Sequence, residues 1–175
     1  MPTLEIGSTW DGQPISADER ASVTLRLDSA GLHLAIDAPF HADPPPVGAP
    51  GPTWALWEHE VVEVFVLGER ERYTEIEIGP HGHHLVLTLD GRRTITAREL
   101  PLAVSVSHEA GRWRADARLA AEFLPRGPHR VNAYAIHGLG LDRRYLCWTP
   151  VPGPAPDFHR LERFPAVSLG QTARS

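Results

Sequence analysis

Two neighbouring runs decide the fold: Glu60-Val61-Val62-Glu63-Val64-Phe65-Val66-Leu67 and Tyr73-Thr74-Glu75-Ile76-Glu77-Ile78. In the first, Val62, Val64 and Val66 fall on one face and Glu63 on the other. In the second, Ile76 and Ile78 lie with Thr74, opposite Glu75 and Glu77. A period of two belongs to a strand, whose successive side chains point to opposite faces. Gly79-Pro80-His81-Gly82 then reads as a turn. Leu85, Leu87 and Leu89 form the next alternating run, which ends at Asp90-Gly91, a pair suited to a hairpin.

The same pattern extends outward in both directions. Val23, Leu25 and Leu27 alternate with polar residues, Gly31 punctuates, and Leu32, Leu34 and Ile36 follow, which predicts a hairpin. Val104 and Val106, then Trp113, Ala115, Ala117 and Leu119, give another pair across Glu109-Ala110-Gly111. Val131 to Ile136, Tyr145 to Trp148 and Ala166 to Leu169 complete the set. Only Leu119 to Leu124 reads as a helical turn, and Pro125 stops it. About ten short strands with almost no helix predict an all-β, two-sheet antiparallel β-sandwich. One domain is expected over 1–169, with a C-terminal tail at 170–175.

Composition removes several chemistries. The 175 residues include 17 Arg but no Lys, a single Cys and a net charge of −5. Without Lys there is no P-loop lysine and no Schiff-base lysine. One Cys allows neither an intrachain disulfide nor a Cys-cluster zinc site. The negative balance argues against nucleic acid as a partner. No apolar run approaches the roughly 18 residues of a membrane span, so no membrane partner is expected. With Met1 as the start, MPTLEIGSTWDG has neither a basic start nor an apolar stretch, and a cytoplasmic location is expected. Nothing in the sequence sets the oligomeric state.

Six prolines fall within 39–52 and four within 150–156. Loops of this length inside a compact domain are usually functional or disordered. Trp54 and Trp57 follow the first loop, and Trp148 precedes the second. Indole rings carried by stiff loops suit stacking on the apolar face of a sugar, with carboxylates or Arg taking the hydroxyls; each Trp could equally be a packing residue. Glu63, Glu75 and Glu77 form an acidic face. It reads either as a solvated outer face paired with Arg, or as a set that hydrogen-bonds hydroxyls or coordinates calcium. Glycosidase chemistry is not expected, because nothing in the sequence marks one carboxyl as desolvated. His81, His83 and His84 have the spacing of a surface metal site, but no supporting second layer of ligands is evident. Whether any metal binds is left unknown. No nucleophile motif is present, catalytic residues are none, and Cys147 reads as a buried inert thiol.

Four segments in order resemble the family 9 carbohydrate-binding modules. Leu56-Trp57-Glu58-His59-Glu60-Val61-Val62-Glu63-Val64-Phe65-Val66 is similar to their signature strand, a Trp followed by an acidic strand. Tyr73 to Gly82 resembles their next strand and turn. Trp113 to Pro125 resembles their Trp-to-Pro segment, and Trp148-Thr149-Pro150 through Asp157-Phe158-His159 to Leu169 resembles their ending. Phe164-Pro165 departs from the family's Phe-Gly, and the proline-rich loop after Trp148 has no counterpart. The resemblance covers residues 20–169 and implies a DOMON-like, jelly-roll-like sandwich. It also implies a pair of Trp rings that clamps a terminal sugar, with calcium bracing loops in some members. Carried over, Trp57 is one clamp ring, Trp148 the other, and Glu63 the acid of the strand; Trp54 adds to the rim, and Glu75 falls where some members carry a polar ligand residue. The expected function is that of a stand-alone, non-catalytic, lectin-like sugar-binding domain. The alternatives are a protein-interaction module whose proline-rich loops dock a partner, and a haem-binding DOMON-type domain confined to His ligation.

Overall fold

The structure is a computed structural model, and residues 1–170 of it are described. The tail expected at 170–175 therefore lies, from 171 onward, outside the described residues. Twelve strands form the body: β1 (Thr3–Ile6), β2 (Ser8–Thr9), β3 (Ala21–Asp28), β4 (Gly31–Pro39), β5 (Val61–Leu67), β6 (Arg72–Ile78), β7 (His84–Asp90), β8 (Ile95–Ala97), β9 (Ala103–Glu109), β10 (Arg112–Ala120), β11 (Arg130–His137) and β12 (Arg144–Cys147). They build two sheets, β1-β3-β4-β10-β9 and β2-β12-β11-β5-β6-β7-β8, with every strand pair antiparallel. The fold is the all-β sandwich that the alternation predicts. The helical turn expected before Pro125 is a 3-10 turn at Ala121–Phe123, one of six such turns, and no α-helix occurs among the described residues.

Three strands escape the pattern: β1 and β2, at the amino terminus, and the short β8. The run expected at 166–169 makes only an isolated bridge, Ala166 to Arg130. These are edge or very short elements, where a period of two has too few residues to show.

The five-stranded sheet behaves as its alternation requires. Along β3, buried and half-buried residues alternate, and Val23 and Leu25 enter the space between the sheets with Leu34 and Ile36 of β4. The hairpin between β3 and β4 turns at Ser29–Ala30 and enters β4 at Gly31, where φ is 135° and an added Cβ would stand 2.0 Å from the Leu119 carbonyl oxygen. Only glycine fits that approach. Val62, Val64, Val66, Ile76, Ile78 and Val86 fill the core from the seven-stranded sheet.

The outer face of the seven-stranded sheet differs. All seven residues of β5 are buried, as are six of the seven in β6. A second apolar cluster lies on that face, built from Phe65, Tyr73, Leu85, Leu87, Leu89 and Tyr134 and covered by Val151, Phe158, Leu161 and Phe164. The Leu85, Leu87 and Leu89 face of β7, its most apolar, thus belongs to this second cluster, and Val86 alone of its neighbours reaches the inter-sheet core. No helix of the described residues is long and apolar enough to cross a membrane.

Candidate functional site

The segment after β12 is fastened onto the sheet by a few buried polar groups. Asn132, fully buried on β11, accepts the Thr149 amide at 3.0 Å and donates to the Thr149 carbonyl at 2.9 Å. It also donates to the Tyr134 hydroxyl at 2.9 Å, which in turn donates to the Phe158 carbonyl at 3.0 Å. The Phe158 ring stacks on Tyr134, centroids 3.9 Å apart and nearly parallel. A buried amide with this many partners is specific, because losing the partners would leave an unsatisfied group. The second proline-rich loop is therefore a roof.

Where the roof stops, a cleft of about 730 Å³ opens on the outer face of the seven-stranded sheet. Its mouth carries Trp54 and Trp57, whose rings meet edge to face at 5.1 Å and 81°. Trp54 is 43% exposed, and the Arg98 guanidinium stands 5.1 Å from its ring centre. Ala55, in the left-handed region at φ 57°, swings the chain between the two rings into the 3-10 turn at Leu56–Glu58. Arg143 secures that turn from across the cleft: it donates to the Trp57 carbonyl at 2.6 Å and to the Gly138 carbonyl at 3.0 Å. Opposite, the Arg93 amide donates to the Tyr73 hydroxyl at 3.0 Å, and Tyr73 bonds His159 Nδ1 at 2.7 Å. Asp157 accepts from the Arg93 guanidinium at 2.7 Å and from the His159 amide at 3.0 Å. Burial, with the charge of Arg93 adding to it, pushes His159 down to about 4, so the ring is neutral at physiological pH.

Glu63 and Glu75 lie in the wall of this cleft. Glu77 is the direct cross-strand partner of Glu63, and Glu75 sits two residues away on the same face of β6. One oxygen from each of the three carboxylates lies within 4.8 Å of the others. The expectation of a solvated, Arg-paired acidic face is wrong here: the three are 2%, 4% and 0% exposed, respectively. Among the described residues, no group in full hydrogen-bonding geometry satisfies Glu63 Oε1, Glu75 Oε2 or either Glu77 oxygen, although Glu75 and the Trp57 backbone approach Glu77 closely enough to influence its ionisation. The second apolar layer covers the face that the alternation assigns to water. The sequence argument against desolvated carboxyls falls with it. Burial raises all three above the usual carboxylate range: Glu75 to about 7, and Glu63 and Glu77 well up, with repulsion from Glu75 adding at Glu63 and repulsion from Glu63 and Glu75 adding at Glu77.

Trp148 is not part of this site. Strand alternation sends Cys147 into the outer cluster and Trp148 to the opposite side, half-buried against the inter-sheet core. Trp57 and Trp148 therefore do not face each other across the cleft, and the ring beside Trp57 there is Trp54. Cys147 is buried, as expected. Among the described residues, the one group of three or more potential ligands close enough to share an ion is Glu63, Glu75 and Glu77. The histidine run does not converge: His81 meets Phe40 and His108, while His83 reaches the Gly48 carbonyl at 3.4 Å. Sequence reasoning missed Arg93, Arg143, Tyr73 and His159, which enter from four different elements and share no local motif.

No protein-family model matches the chain. It is 42% identical to the human UPF0462 protein C4orf33 (Homo sapiens) over 175 residues, spanning 95% of this chain and 87% of that protein. The zebrafish homologue (Danio rerio) is 41% identical, spanning 94% and 87%, and the rat homologue (Rattus norvegicus) 43% identical, spanning 95% and 87%. Among solved structures, a "putative carbohydrate-binding protein" from Bacteroides uniformis superposes with a TM-score of 0.73 at 16% identity, over 94% of this chain and 84% of that one. A family 9 carbohydrate-binding module from Caldicellulosiruptor kristjanssonii, solved with cellotriose, superposes with a TM-score of 0.54 at 12% identity, over 77% and 68%. The resemblance read from the sequence therefore holds for the fold.

Proposed function

The chain belongs to the UPF0462 protein family, and from that premise we propose that it is a non-catalytic sugar-binding module. One observation carries the reading: an exposed Trp54 and its partner Trp57 stand at the mouth of a cleft of about 730 Å³ whose wall holds the buried acceptors Glu63 and Glu75. A pyranose buries its C–H face on an indole and points its hydroxyls at acceptors, and this cleft offers both in one place. The structural neighbour crystallised with cellotriose adds support at the level of architecture. The three carboxylates rise from one sheet face, side by side; a glycosidase pair must flank the bond it cleaves, which favours binding over hydrolysis.

Calorimetry with glucose and cello-oligosaccharides tests the reading. With a modest number of polar anchors, affinity is expected between about micromolar and millimolar. Trp54→Ala and Trp57→Ala should each weaken it about fivefold or more, since stacking on an aromatic ring is worth on the order of 1 kcal/mol or more. Binding that survives both substitutions, or silence across a broad glycan panel, overturns the assignment. A second reading rests on an apolar edge: Leu139 lines the cleft, and both it and Leu141, two residues further along, are exposed. A protein-interaction module would show no glycan binding and would lose its partner on Leu141→Asp.

A further inference from the structure

The trio at the cleft wall is an unbalanced group. Three carboxylates, each more than nine-tenths buried, present four oxygens that no group among the described residues satisfies within hydrogen-bonding geometry. The two guanidiniums nearest in the fold are already engaged, Arg93 with Asp157 and Arg143 with the carbonyls of Trp57 and Gly138. Like charges directly opposite each other on neighbouring strands destabilise a sheet, and Glu63 faces Glu77 across β5 and β6. Such an arrangement persists only where something supplies the missing positive charge or holds the groups neutral.

The spacing fits an ion. Ligand oxygens about 2.3–2.6 Å from a calcium ion lie at most about 4.6–5.2 Å from one another. One oxygen from each of Glu63, Glu75 and Glu77 falls within 4.8 Å of the others. The donor set is all oxygen, with no imidazole or thiolate, and therefore selects a hard cation. Three carboxylates supply only part of the six to eight oxygens that calcium takes. Glu63 and Glu75 border open cleft, so the remaining coordination positions face the ligand.

We propose that Glu63, Glu75 and Glu77 form a binding site for a divalent, oxygen-seeking cation of calcium's size, and that this cation coordinates a vicinal pair of sugar hydroxyls in the cleft. The second half rests on the sugar-binding reading. The cation holds the diol while the indoles take the apolar face, so neither element alone supplies full affinity. The occupant is an ion for a chemical reason: a dry, triply acidic wall repels an anionic ligand and neutralises a cation.

The test uses the full chain freed of metal with a chelator. Calcium chloride is titrated by calorimetry and, in parallel, by thermal denaturation. The expected result is one ion per chain, a rise in Tm, and at least tenfold weaker binding in both Glu77→Gln and Glu63→Gln, a fold-change on the order of one lost carboxylate ligand. The second substitution serves if the first fails to fold, and circular dichroism checks both. No heat and no Tm shift up to millimolar calcium overturns the proposal, as does unchanged calcium binding in the two variants. Sugar titrations with and without calcium separate the halves. Equal sugar affinity in chelator overturns the bridging role and leaves the sugar reading standing. Calcium bound by the trio, with no sugar bound in either condition, overturns the bridging role together with the sugar reading and leaves the ion site.

Discussion

The two sheets carry acidic residues on their outer faces, and the two faces treat them in opposite ways. On the five-stranded sheet, Asp37 of β4 accepts hydrogen bonds from Arg112 and, at 2.9 Å, from Arg114, and the cluster stays open to solvent. On the seven-stranded sheet, Glu63, Glu75 and Glu77 have no basic partner in contact and lie under a second apolar layer. The first face is an ordinary solvated surface, where charge is paired and weakly coupled to stability. The second keeps ionisable groups where water is scarce and no basic partner is in contact among the described residues, a common mark of a site. The same alternating pattern of amino acids thus builds an open, charge-paired face on one sheet and a covered one on the other.

The contrast breaks first on packing. Phe65 projects into the outer cluster from the central strand β5, against Tyr73, Tyr134, His159 and Phe164. If that layer is a true second core, Phe65→Ala should cost about 3–5 kcal/mol in chemical denaturation. Arg118→Ala, exposed on the open face of β10, should stay within about 0.5 kcal/mol. Near-equal losses would mean that the roof adds nothing.

Charge gives the next effect. In chelator at pH 8, Glu77→Gln should stabilise the protein by about 1–3 kcal/mol, because on folding the buried carboxyl must either take up a proton or hold a charge with no basic partner, whereas it ionises freely in the unfolded chain. Saturating calcium should reverse the sign, since the wild type then gains the ion and the variant loses a ligand. A variant that is less stable in both conditions would show that the trio is held by protons and packing alone.

The sandwich was legible because its strands obey a period of two and because turns such as Gly79 to Gly82 interrupt it. The site was half legible. Trp54, Trp57, Glu63 and Glu75 do converge, since the acidic alternation of β5 and β6 and the Trp after the proline-rich loop put them on one side. The burial of the trio was not legible, because it comes from residues 151–164, far away in sequence and irregular in form. A trace was present all the same: Val61, Phe65 and Leu67 share the face of Glu63, and Leu85, Leu87 and Leu89 form the apolar face of the strand beyond. A central strand that is apolar on both faces signals two covered faces. Trp148 misled because family order fixes a position along the chain, whereas the parity of β12 fixes the face.

The first proline-rich loop sharpens the comparison through pH. Glu60 accepts the His41 and Asp43 amides at 2.9 and 3.2 Å, Asp43 accepts the Gly138 amide at 2.6 Å, and the His41 ring stacks on His137 at 3.5 Å. Burial, then mutual repulsion, lowers His41; burial outweighs the pull of Glu19 and lowers His137. A base with a lowered folded-state pKa takes up its proton first in the unfolded chain. Stability should therefore be complete above the unfolded value near 6.5 and fall as pH drops through the folded values. Buried carboxyls with raised pKa values, Glu60 and the trio, pull the other way over the same range. The histidine contribution is therefore read as a difference: in thermal scans from pH 8 to 5, His41→Gln should lose less stability than the wild type as pH falls, because one titrating ring and the repulsion are gone. An unchanged slope in the variant would place the pH dependence elsewhere.

The smallest effect belongs to the open face. Partial burial of Asp37 opposes ionisation, but the hydrogen bonds from Arg114 and Arg112 outweigh it and hold its pKa below the usual carboxylate range. An acid with a lowered folded-state pKa stabilises the fold above its unfolded value near 3.8, and that contribution fades as pH falls through the lower folded value. Because the carboxylate is about a third exposed, screening limits what it contributes: Asp37→Asn should cost about 1 kcal/mol or less at pH 7, and less still in high salt. The double comparison with Glu77→Gln is the informative one. Both substitutions remove one outward-facing carboxyl from a sheet, yet in chelator they should move stability in opposite directions, because an arginine pair partners the first and no basic group among the described residues partners the second. If both destabilise alike, the two faces are equivalent and the buried trio loses its claim to be a site.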